Sequence, residues 1–152
     1  MGNKKSYLRK GQKALPLAVQ SAGLKRVFPD ANITFNKHIE LTWVGQLRPS
    51  PSSEGYTVKI AYRLGERPVV TVLSPDLRSR NGERLPHVFS GEKLCLYRAR
   101  YGEWNSSMSL AGIIIPWTSL WLFYYEVWLA TGEWCGSRQE HPGDGKDKEQ
   151  DE

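Results

Sequence analysis

A chain of 152 residues is one domain's worth, and its six Trp and seven Tyr supply enough apolar surface for a real core. Its two cysteines, forty residues apart, exclude a disulfide scaffold, so a reducing compartment, the cytoplasm, is expected. The net charge of +5 is modest and does not by itself call for nucleic acid.

The distribution of charge says more than its sum. Lys4, Lys5, Arg9, Lys10 and Lys13 crowd the start, and no acid occurs before Asp30. No long apolar run accompanies them, so a secretory signal is not expected. The far end carries Asp144, Asp147, Glu149, Asp151 and Glu152. A basic end can meet nucleic acid or an acidic partner, but the aromatic-basic interleaving that stacks bases is missing. Solvated termini are the better reading. Residues 1–13 are therefore expected to be a flexible basic N-terminus and residues 143–152 a flexible acidic tail, around one domain at 14–142. No nucleic acid or membrane partner is expected.

Within residues 14–28, Leu17, Ala18, Leu24, Val27 and Phe28 recur near helical spacing. Pro16 suits a first turn and Pro29 ends the segment, which predicts a helix of about three turns. Residues 33–47 alternate, with Ile33, Phe35, Ile39, Leu41 and Trp43 on one face. That pattern predicts a half-buried strand with His38 an exposed bystander on the polar face. Pro49, Ser50, Pro51, Ser52 and Ser53 make a loop. Tyr56, Val58, Ile60, Tyr62 and Leu64 alternate again, and Gly65-Glu66 carries the cue for a type II′ hairpin. Residues 68–73 supply the return strand. Successive strands with short turns make an antiparallel meander. Residues 74–84 form a loop.

Residues 104–125 contain no charge, which raises the question of a membrane span. Pro116 breaks the run, and Glu126 stands in its most aromatic part, where a membrane centre would penalise it. A buried core helix is expected instead, with Pro116 opening it, residues 117–131 forming it and Gly132 ending it. Being apolar almost all round, it should be buried on most sides.

The chemistry gathers at residues 86–97. His87 and Cys95 lie eight residues apart in a segment whose Pro86 and Gly91 suit an extended course. A thiolate attacks carbonyls well, and a nearby base or cation favours it, so Cys95 is a candidate nucleophile and His87 its candidate helper. The competing reading is that Cys95 simply packs. Cys95, Cys135, His87 and His141 could be assembled into a zinc site, but no Cys-x-x-Cys or close His pair supports one. A Cys-His hydrolase lacks a third orienting residue. No phosphate-binding Gly-rich loop is present, and no metal or cofactor is expected.

The run Leu94-Cys95-Leu96-Tyr97 resembles the active-site segment of ubiquitin-conjugating enzymes, where a His-Pro-Asn stretch precedes the cysteine by about ten positions. Together with residues 121–128, 131–134 and His141, it is most similar to the bacterial ubiquitin-conjugating-like (UBC-fold) proteins of short type II CBASS antiphage operons. The likeness spans about residues 33–141. It implies an α+β fold with an N-terminal helix, an antiparallel meander, an extended active-site segment and a C-terminal helix packed on the sheet. It also implies a Cys95 thioester with the C-terminus of a cGAS/DncV-like nucleotidyltransferase, passed to a target protein lysine, with His87 assisting. Here Pro86 precedes His87 and Val88 follows it, so the family's oxyanion-holding Asn has no counterpart at that point. Backbone amides near Cys95 or the side chain of Asn81 are the remaining candidates. The alternative role is a non-catalytic UBC-fold binding module that holds a partner's C-terminal tail.

Overall fold

The computed structural model describes residues 7–97 and 103–136. The acidic tail and His141 lie outside them. The first helix, α1 (Leu17–Val27), begins after Pro16, whose carbonyl accepts from the Val19 and Gln20 N–H groups at 3.0 Å each. It buries Leu17, Gln20, Ser21 and Leu24. A polar Gln on that face is explained by its partners. Its amide donates to the Met108 carbonyl (2.7 Å) and its oxygen accepts from the Leu110 N–H (2.8 Å). Gln20 thereby ties α1 to the start of the C-terminal helical run. Ahead of α1, Gln12 Oε1 accepts from Asn105 Nδ2 (3.1 Å) and the Leu15 N–H donates to Ser106 (2.8 Å).

The single strand expected at 33–47 is two strands, β1 (Asn32–Asn36) and β2 (Glu40–Leu47). Lys37 (φ 52°) and His38 (φ 60°) both take the left-handed conformation, and the Ile39 N–H closes on the Asn36 carbonyl (3.1 Å). Two positive-φ residues usually call for Asn-Gly, so Lys-His gave no cue. The register concealed the turn as well. Ile33 pairs with Trp43 and Phe35 with Leu41, so the even spacing carries the alternation through the bend unbroken. His38 stands exposed at the tip.

β3 (Tyr56–Arg63) and β4 (Val69–Ser74) complete a four-stranded antiparallel sheet in the order β1-β2-β3-β4. Their turn differs from the expected type. The Glu66 N–H bonds to the Arg63 carbonyl (2.9 Å), so Leu64 and Gly65 are the central pair, with the positive φ (87°) on Gly65. Glycine therefore occupies the second central place, as in a type II turn, rather than the first.

The C-terminal helix, α2 (Ile115–Thr131), stops at Gly132 (φ 83°), whose N–H returns to the Trp128 carbonyl (2.8 Å). Helical winding starts earlier than expected. A π-helical turn at Leu110–Ile114 precedes α2, and Ser109 Oγ caps it by accepting from the Gly112 N–H (3.0 Å). Pro116 lies at the junction of this π-helical turn and α2, where, having no N–H, it cannot donate back into the preceding turn. The run from Leu110 to Thr131 is long and apolar enough to cross a membrane by length and composition. In the fold, Ile115, Trp121, Leu122, Tyr125 and Trp128 join the sheet's Leu41, Trp43, Val58, Ile60 and Tyr62 in one core. Burial is one-sided rather than all round, since Leu120 and Phe123 remain 46% and 42% exposed. Glu126 belongs to the inner side. Its two carboxylate oxygens accept from Ser53 Oγ (2.6 Å) and the Tyr56 hydroxyl (2.7 Å), which fixes the 50–53 loop to the helix.

Two consequences follow for stability. Trp128→Ala removes a buried indole and should cost about 3–5 kcal/mol in chemical denaturation. Burial pushes the Tyr62 phenol up to about 12, and burial with the adjacent Glu126 raises Tyr56 further. A folded value above the unfolded value of roughly 10 means the neutral phenols stabilise the fold fully below that pH. This contribution is lost as pH rises toward the folded values. The Tyr62 hydroxyl has no hydrogen-bond partner among the described residues. Tyr62→Phe should therefore leave neutral-pH stability unreduced and lessen its decline above about pH 10, read from denaturation midpoints across that range.

Candidate active site

The segment around Cys95 forms a small hairpin, β5 (Val88–Phe89) and β6 (Lys93–Leu94). The chain reverses at Ser90–Glu92, where Gly91 (φ 76°) and Glu92 (φ 57°) take left-handed geometry. Val88 pairs with Leu94 and Phe89 with Lys93. Leu94 is buried and seats the hairpin, and β6 packs beside β4. One further bond extends the ladder: the Cys95 N–H donates to the His87 carbonyl (2.9 Å). The two residues that the sequence singled out are thus joined through their backbones.

His87 is held from three directions. Its φ of 55° is an unfavourable state for a residue with a Cβ, at roughly 1–2 kcal/mol. Its carbonyl accepts a second hydrogen bond, from Trp121 Nε1 on α2 (3.0 Å). Its imidazole lies against the Trp134 indole, with centroids 4.6 Å apart and planes tilted 30°. Trp134 gets there because Gly132 turns the chain back at the end of α2. A Cβ on Gly132 would come within 2.7 Å of the Arg80 guanidinium, which itself donates to the Leu129 carbonyl (3.2 Å). Trp134 meets Trp121 edge-on (5.3 Å) and lies 5.9 Å from the Tyr124 ring.

Cys95 is half-buried, and its thiol points to the Tyr97 carbonyl at 3.8 Å. Tyr97 packs on Trp117, centroids 5.4 Å apart. Burial drives the Tyr97 phenol well above its usual range, and Arg67 only partly opposes this. The phenol is therefore a neutral group near the thiol. The Cys95 N–H, one of the backbone amides considered for an oxyanion, is already spent on His87. Asn81 sits in an exposed turn between Arg80 and Glu83, with φ 49°. Cys135 is exposed on the segment beyond α2. Among the described residues, no group of three or more His, Cys, Asp or Glu could hold a metal ion.

The residues that sequence reasoning missed are Trp121 and Trp134. The sequence marks Trp121 only as part of the core helix and Trp134 only as part of the family resemblance; Trp121 is buried and Trp134 partly so. What sets them apart is where their polar edge or ring face goes, which spacing cannot reveal. The left-handed backbone at His87 is testable apart from any activity. His87→Gly keeps the turn without a Cβ penalty, so its thermal midpoint should exceed that of His87→Ala, by about 1 kcal/mol in stability.

Residues 20–142 match the family described as type II CBASS E2 protein. None of the curated proteins compared with the chain matches it. The matched stretch begins within α1 and includes the sheet, the Cys95 hairpin and the whole of α2. The chain belongs to the type II CBASS E2 family and is an E2-like protein of a CBASS system.

Proposed function

We propose that the α+β domain is a ubiquitin-conjugating-enzyme-like fold and that Cys95 is the nucleophile of a cytoplasmic acyltransferase. The acyl donor is the C-terminus of a cGAS/DncV-like nucleotidyltransferase of the same operon, and the acceptor is a lysine on a target protein. Conjugation would prime cyclic nucleotide signalling against phage. The observation that carries this reading is the position of Cys95. It stands at the end of a tight hairpin, bonded to His87, in a chain of the E2 family.

The chemistry is acyl exchange. The Cys95 sulfur attacks the activated C-terminal carbonyl, a C–S bond forms, and the activating group leaves. The target amine then attacks the thioester, a C–N bond forms, and the thiol is restored on Cys95. His87 orients the reacting groups or assists proton transfer. The protonated phenol of Tyr97, packed on Trp117, suits a site whose substrate arrives already activated and needs no strong general base.

Co-expression with the operon's nucleotidyltransferase should give an adduct on non-reducing gels that hydroxylamine or added thiol cleaves. Cys95→Ala should abolish it, and Cys95→Ser should leave a more stable oxyester. Cys135→Ala should leave it intact. His87→Ala should slow its formation by about 10²–10⁴-fold without removing it. An adduct surviving Cys95→Ala, or none with any partner ending in Gly, would favour the binding module that only holds the tail.

A further inference from the structure

We infer that Trp134 is a positioning residue for His87, fixing the imidazole beside the Cys95 hairpin from the far end of α2. The kinetic part of this inference rests on the thioester reading above.

His87 occupies a backbone state that its side chain disfavours. Two hydrogen bonds to its carbonyl, from Cys95 and Trp121, hold the main chain there. They fix where the side chain departs but not how the ring is turned, since χ1 and χ2 remain free to rotate. One contact that restricts the ring is the face of Trp134 at 4.6 Å. Trp134 is itself wedged in place. Tyr124 and Trp121 flank it, and the chain folds over it at Gly136, where a Cβ would come within 2.6 Å of the indole nitrogen and 2.9 Å of the Tyr124 ring. Gly132 and Gly136 thus bracket Trp134, one turning the chain back and the other allowing its close approach. A loose surface ring needs neither.

Trp134 also lies beyond the last turn of α2 and is only partly buried, so the core residues Leu122, Tyr125 and Trp128 stay enclosed without it, and Trp121 loses one edge contact while keeping its stack on Tyr125. Removing it should loosen the orientation of the imidazole before it unfolds the domain. A misplacement of that kind is expected to lower the rate at saturating donor by roughly ten- to a hundredfold while leaving the donor KM nearly unchanged.

The first test is proton NMR of the full chain. Stacking on the indole should shift the His87 Cε1 proton upfield, assigned by its loss in His87→Ala. Trp134→Leu should return it to the position of an unstacked histidine, and Trp134→Phe should restore part of the shift. The second test is the rate of Cys95 adduct formation in a double-mutant cycle. Trp134→Leu should slow the native protein but add nothing in a His87→Ala background, whereas Trp134→Phe should recover most of the rate. An unshifted His87 proton overturns the inference, whether or not any donor conjugates. So does an equal loss from Trp134→Leu in both backgrounds, or no loss in either. A wild-type chain that forms no adduct defeats the thioester reading instead, and the NMR result still decides whether Trp134 holds the ring.

Discussion

The His87 carbonyl is the point on which the site depends. It accepts from the Cys95 N–H at 2.9 Å and from the Trp121 indole at 3.0 Å, and so joins the hairpin to the core helix. A hairpin with two residues in each strand has little stability of its own. Its order must come from what it rests on. Trp121 provides that support and is supported in turn: its ring stacks on Tyr125 (5.7 Å, 13°), whose hydroxyl accepts from the Arg78 N–H (2.7 Å). The loop before the hairpin, the hairpin and α2 are thereby linked in one chain of contacts. The backbone penalty at His87 persists because these contacts exceed it, each hydrogen bond being worth about 1 kcal/mol.

The legible parts of the fold were those where one local cause decides the outcome. Gly132 after a long apolar run marked the end of α2 because glycine readily takes the left-handed C′ conformation, and Pro29 marked the limit of α1 because it cannot continue the hydrogen-bond ladder. The strand of residues 56–63 was visible because one face is wet and the other dry. The β1–β2 turn was invisible for the converse reason. Lys37 and His38 carry no conformational cue, and the surrounding alternation keeps its phase through the bend. The one-sided burial of α2 also escaped, since Leu120 and Phe123 are as apolar as Leu122. Hydrophobicity says that a residue can be buried, not which of several equivalent faces the sheet will cover.

The site divides in the same way. Cys95 and His87 could be picked out as a pair because both carry chemistry and both flank the Gly91 turn. Their direct backbone bond follows from a register that the turn sets. The Trp121 and Trp134 contacts depend on where α2 comes to lie, which is a property of the whole domain. Gln20 and Glu126 illustrate the point from the structural side. Each is a polar residue among apolar neighbours, and each is explained by two hydrogen bonds to segments distant in sequence. Sequence alone marks such residues as anomalies without naming their partners.

The arrangement also constrains what kind of chemistry the site can support. A hydrolase acting on an unactivated carbonyl must create a strong nucleophile, which demands a base and an orienting acid, whereas donors for the oxyanion are needed by hydrolysis and acyl transfer alike. Here the amide nearest the thiol is engaged by His87, and the neighbouring Tyr97 phenol stays protonated. The imidazole is braced by an aromatic face, the Trp134 indole. These features fit the acyl transfer proposed above, in which the donor arrives already activated. The contacts that hold His87 and the Cys95 hairpin in place would serve that proposed reaction by fixing its geometry.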